Sequence, residues 1–213
     1  MGRSPIACSI IGCMRLLVLA ALLALTGPAV AQGVIQAEMT GQPQQHVKDG
    51  AIVGCGMRVV GVFEPPAGVP DASTLDASIN LNQPGFGLLK AIGGTINMPA
   101  LMAYSRDPSR GLPPERRWRP EAFWFKASGA PATRPQTPLT GADPPEAALY
   151  ATNEIEPILA VLSAILEAKQ IQIGVRQPGR NFEQIYQVKV RLKDGERETL
   201  SDCLRELIAN GKK

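Results

Sequence analysis

The stretch EIEPILAVLSAILEAKQIQIGVR, residues 154–176, carries the change of period that decides the fold class. Over 154–170, Ile155, Ile158, Leu159, Leu162, Ile165 and Leu166 recur at the helical spacing. Pro157 falls in the first turn, where a missing N–H breaks no helical bond. From 171 the period drops to two: Ile171, Ile173 and Val175 share one side, which predicts a strand over 171–176.

Gln177-Pro178-Gly179-Arg180-Asn181 then turns the chain, and FEQIYQVKVRL, 182–192, returns. Tyr186, Val188, Val190 and Leu192 lie on one face of that second strand; Gln187, Lys189 and Arg191 lie on the other. Lys193-Asp194-Gly195 turns again. A last helix sets Leu200, Cys203, Leu204, Leu207 and Ile208 in one stripe before Asn210-Gly211 stops it. The C-terminal third is therefore helix–β-hairpin–helix.

Upstream, strand patterns dominate. Residues 32–48 read as a polar, aperiodic lead-in. In AIVGCGMRVVGVFE, 51–64, Val53, Cys55, Met57, Val59 and Phe63 take one face, while Gly54, Gly56 and Gly61 leave the other side bare. Residues 65–74 read as a loop. LDASINLN, 75–82, alternates: Leu75, Ala77, Ile79 and Leu81 inward, Asp76, Ser78, Asn80 and Asn82 outward as the wet face of a sheet. GLLKAI and TINMPALMAY suggest a hairpin on Gly93-Gly94, with Pro99 demoting the second arm to an edge. Residues 105–120 read as a long polar loop, EAFWFKA (121–127) as a short strand, and 128–146 as irregular surface loop. The fold class that follows is α+β: an antiparallel sheet from the N-terminal two-thirds, with the C-terminal helix–hairpin–helix packed on one face.

The N-terminus points to export. MRLLVLAALLALTGPAVAQ, 14–32, has a basic start at Arg15, an apolar run from Leu16 to Leu25, a break at Gly27-Pro28 and a small-x-small site at Ala29-Val30-Ala31. That is the pattern of a signal peptide cleaved after Ala31, with Met14 the better start. The run is too short for a membrane span. The expectation is a cleaved segment 1–31 and one globular domain, 32–213, periplasmic or secreted in a bacterium. Removing 1–31 takes away two arginines and no acid, so 22 basic residues become 20 against 19 acidic ones. A net charge so near zero gives no argument for nucleic acid as a partner.

Cleavage also removes Cys8 and Cys13, leaving Cys55 and Cys203. Both fall on apolar faces, and an oxidising compartment permits their pairing. The simplest reading is one disulfide, Cys55–Cys203, tying the last helix to an early strand. The alternatives are two buried thiols or an intermolecular bridge. A redox pair is normally close in sequence, and this one is not.

Catalytic patterns are scarce. Neither G-x-S-x-G nor S-x-x-K occurs, and His46 is the one imidazole in the sequence. Two distant cysteines and one histidine make no metal cluster; Met98 and Met102 beside His46 are better explained as core. Gly85 to Lys90 fails both nucleotide-binding patterns. Asp71, Asp76, Asp143, Glu154 and Glu156 are available as carboxylates, none in a distinctive setting. No catalytic residue, metal or cofactor is assigned.

Two surface features could bind a ligand: the outward row Asp76, Ser78, Asn80 and Asn82, which reads first as the wet face of the sheet, and a segment rich in arginine and tryptophan. In PERRWRPEAFWF, 114–125, Arg116, Arg117 and Arg119 surround Trp118, a combination suited to anions, glycans or a membrane surface. The resulting expectation is a non-catalytic envelope accessory or binding protein, its partner an envelope protein or anionic surface. The alternatives are a carboxylate-dependent hydrolase of envelope material and a secreted inhibitor or interaction factor presenting the Arg/Trp segment.

Overall fold

The computed structural model describes residues 34–65, 68–134 and 137–211, all within the unit Gly33–Lys213. Residues 1–31, expected from the sequence to be a cleaved signal peptide, lie outside the described residues. Among the described residues, ten strands and three α-helices follow in the order β1 (Val34–Lys48), β2 (Ala51–Phe63), β3 (Asp71–Asn82), β4 (Phe86–Asn97), α1 (Met98–Arg106), β5 (Arg116–Trp118), β6 (Ala122–Ala127), β7 (Thr137–Pro138), β8 (Ala148–Thr152), α2 (Ile155–Leu166), β9 (Gln170–Arg176), β10 (Gln184–Arg191) and α3 (Glu196–Asn210).

The fold is α+β, but the sheet is not purely antiparallel. All ten strands join one mixed sheet in the order β6-β9-β10-β1-β2-β3-β4-β8-β7, with β5 also paired to β4. β1 and β10 run parallel, Ile35 opposite Tyr186 and Met39 opposite Val190. The predicted helix–hairpin–helix is present, but its hairpin does not pack on a face. β9 and β10 extend the sheet itself, and only α2 and α3 lie against it. The reason is β1: the predicted lead-in is a strand, whose free edge accepts β10. Its core face, Ile35, Ala37, Met39 and Gly41, alternates with Gln36, Glu38, Thr40 and Gln42.

The sheet curls into a half-barrel. Its two ends meet at a side-chain seam, where Tyr150 on β8 packs on Phe123 of β6 (ring centroids 5.2 Å apart) and its hydroxyl donates to the Glu121 carbonyl at 3.1 Å. α2 lies along the inside with Pro157, Ile158, Val161, Leu162, Ala164 and Ile165 buried. α3 closes the concave side over β1 and β2 through Leu200, Cys203, Leu204 and Leu207. Phe123 and Phe125 have no exposed surface. Burying a side chain of that size contributes about 1.5–3 kcal/mol each.

Three further expectations are corrected. Gly93-Gly94 is not a turn: β4 runs straight through it, because Gly93 faces the Trp118 ring and Gly94 faces Thr74 and Glu115. β4 continues to Asn97, and from Met98 the chain is helix, not an edge strand. Asn97 caps α1 by accepting from the Ala100 N–H at 3.0 Å, and Pro99 sits in the first turn. The 105–120 loop holds a 3-10 turn, Pro108–Arg110, and the short strand β5.

The row predicted as a wet face is largely buried. Ser78, Asn80 and Asn82 are 7%, 6% and 8% exposed. Asn80 and Asn82 lean over Gly56 and Gly54 on β2, which have no side chain to hold them off. Gly61, assigned to the bare side, faces the core against Met39 and Phe63. β3 also begins earlier than predicted, at Asp71.

Candidate functional site

α2 and α3 fill one end of the curl. At the other end the inner faces of β1, β2, β3, β4, β5, β9 and β10 converge on an open mouth of about 300 Å³. Strand parity decides who lines it. Phe63 ends the core face of β2, Ser73 and Thr95 lie opposite each other one position in from the ends of the corresponding faces of β3 and β4, and Tyr186 lies on the core face of β10.

Phe63 and Tyr186 form the floor, with ring centroids 4.2 Å apart and planes tilted by 30°. The Tyr186 side chain is linked by a hydrogen bond to Ser73, and burial pushes its hydroxyl up to about 12, against a smaller opposing effect of Ser73. It is therefore neutral, able both to donate and to accept, at any ordinary pH. Trp118 makes one wall. Its indole N–H is buried, and among the described residues none accepts a hydrogen bond from it.

The rim comes from the β9–β10 turn. Gly179 adopts φ 74°, and its N–H donates to Glu121 Oε1 at 3.1 Å, anchoring the turn to the start of β6. The turn presents Arg180 with its guanidinium 5.9 Å from the Phe182 ring centroid. At its base, Glu183 accepts from Trp124 Nε1 at 2.7 Å and from Arg176 at 3.1 Å.

The residues singled out in the sequence are not gathered on one surface. Trp118 lines the mouth. Arg116 stands exposed at its edge and pairs with Asp71. Arg117 turns to the opposite face of β5, pairs with Glu115 at 2.8 Å, and lines an outer groove with Arg58 and Asp76. Arg119 is exposed just beyond β5.

Cys55 and Cys203 are bonded, their Cα atoms 5.8 Å apart. Asp76 is held by Arg58 through two hydrogen bonds of 2.8 and 2.7 Å. Glu154 occupies the N-cap position of α2 and Glu156 lies in its first turn; the Asp143 carbonyl accepts from Lys90. His46 is exposed on β1 opposite Gly54. Among the described residues no three metal-ligating side chains cluster, and no helix is long and apolar enough to cross a membrane.

Sequence reasoning named Trp118 but missed its companions Phe63, Ser73, Phe182 and Tyr186. Their strand faces were readable; that these faces end at one open mouth depends on how the sheet curls. Comparison of the chain with protein-family models, with curated proteins and with solved structures finds no match.

Proposed function

We propose that this is an exported, non-catalytic binding protein of the bacterial envelope, released from its signal segment at Gln32, that takes a ligand at the mouth of the curled sheet. The observation that carries the reading is the lining. Of two tryptophans, three tyrosines and five phenylalanines in the chain, Phe63, Trp118, Phe182 and Tyr186 meet at this one opening. In a chain with so few aromatics, that concentration beside hydroxyl and amide groups is the composition of a small-molecule site. The disulfide supports an oxidising compartment.

The hydrolase reading has less behind it, because Asp71 and Asp76 are each neutralised by an arginine. So has the interaction-factor reading, because Trp118 turns into the mouth while Arg117 turns away. The test is native mass spectrometry of protein recovered from an envelope fraction. A small-molecule adduct present in the wild type and lost in Trp118→Ala supports the reading. A ligand-free wild type, or an adduct indifferent to Trp118→Ala and Phe182→Ala, overturns it.

A further inference from the structure

The chemistry of the mouth narrows its ligand, granted the reading of the mouth as a binding site. A fatty acyl chain fits a cavity with a continuous apolar wall. Here Ser73, Thr95, Gln177, Gln184 and the Tyr186 hydroxyl interrupt the apolar surface on several sides. A phosphate or polyanion fits converging unpaired cations. Here Arg180 lies over Phe182 with Glu64 on the same rim, and Arg116 at the edge is paired with Asp71. What remains is a set of aromatic faces beside neutral groups that both donate and accept hydrogen bonds.

That set is complementary to a pyranose. A sugar ring offers a C–H face that packs on an aromatic plane, and a girdle of hydroxyls that pair with amides and hydroxyls. Phe182, 44% exposed, supplies a face at the rim and the half-buried Trp118 ring lines the wall, while Phe63 and Tyr186, stacked on each other and 3% and 5% exposed, close the bottom. From the aromatic faces and neutral polar groups converging at this mouth, we infer that its ligand is a neutral glycan, one end of which seats between Trp118 and the Phe63–Tyr186 floor.

The experiment is calorimetric titration of the envelope-recovered protein with the tetramer of N-acetylglucosamine, with maltotetraose and, separately, with a fatty acid. Saturable binding of at least one of the two saccharides is expected. It should weaken at least about tenfold in Trp118→Ala and severalfold in Phe182→Ala, whose exposed position leaves the core intact. Arg117→Ala, on the opposite face of β5, should bind like the wild type. Fatty-acid binding that depends on Trp118, with neither saccharide bound, overturns the glycan inference and leaves the mouth as a site. Binding of no probe, or of a saccharide indifferently to both aromatic substitutions, overturns the glycan inference; the adduct measurement above then decides the mouth separately.

Discussion

Trp118 on β5 lies directly opposite Gly93 on β4, so close that a Cβ built on Gly93 would come within 2.2 Å of the indole ring. The chain's other tryptophan repeats the arrangement. Trp124 on β6 lies opposite Gly174 on β9, where a built Cβ would come within 2.1 Å of its ring. In both places the glycine is there because an aromatic ring occupies the volume of the missing side chain.

Gly93→Ala and Gly174→Ala should therefore each destabilise the fold by about 1–3 kcal/mol through overpacking. The Gly93 variant should also disturb the mouth, because its wall is the displaced ring. Urea unfolding followed by tryptophan fluorescence checks both. Alanine variants as stable as the wild type would show that the rings have room to move.

The disulfide should matter more than any single packing contact. Cys55 and Cys203 are 148 residues apart in sequence, and the chain-entropy treatment gives about 5 kcal/mol for a loop that long, an upper figure. Cys203→Ser should lower stability by about 2–5 kcal/mol, with α3 loosened from β2. Reductant should do the same to the wild type and nothing further to the variant. Equal urea midpoints with and without reductant would contradict this.

Stability should fall at high pH through Tyr186. Its hydroxyl is pushed up to about 12 in the folded protein against an ordinary value of 10. The unfolded chain therefore loses this proton first. The contribution is fully present below about pH 10, declines between about 10 and 12, and is lost above, a total of about 2–3 kcal/mol. Tyr186→Phe should flatten that part of the stability–pH profile. A variant that keeps the same decline would assign it to another group.

Much of the C-terminal third was legible because its contacts are local. Ile171, Ile173 and Val175 pair with Val188, Tyr186 and Gln184 across one hairpin, and their alternation shows directly in the sequence. The helix α2 ends at Leu166, short of the 170 expected from periodicity, and no glycine marks its end. Ala168 takes the left-handed conformation instead (φ 54°), with Lys169 N–H bonded to the Ala164 carbonyl and Ala168 N–H to the Ile165 carbonyl.

Residues 32–48 read as a polar, aperiodic lead-in, yet Ile35, Ala37 and Met39 alternate on the core face of β1. Its parallel pairing with β10 is non-local and has no signature in either strand alone. Gly93-Gly94 misled for a different reason. A glycine pair permits a turn and equally permits close approach, and only the position of Trp118 decides between them. The Arg/Trp segment could be picked out as chemistry-bearing, but its division between two faces follows from β5 being a strand.

The central claim is an exported domain closed by one disulfide. The most direct test is the intact mass of protein recovered from an expressing bacterium's envelope fraction, with thiols alkylated in denaturant before and after reduction. The account predicts a mass beginning at Gln32 and alkylation of two cysteines only after reduction. A mass that retains residues ahead of Gln32, or thiols that alkylate in denaturant without reductant, would contradict it.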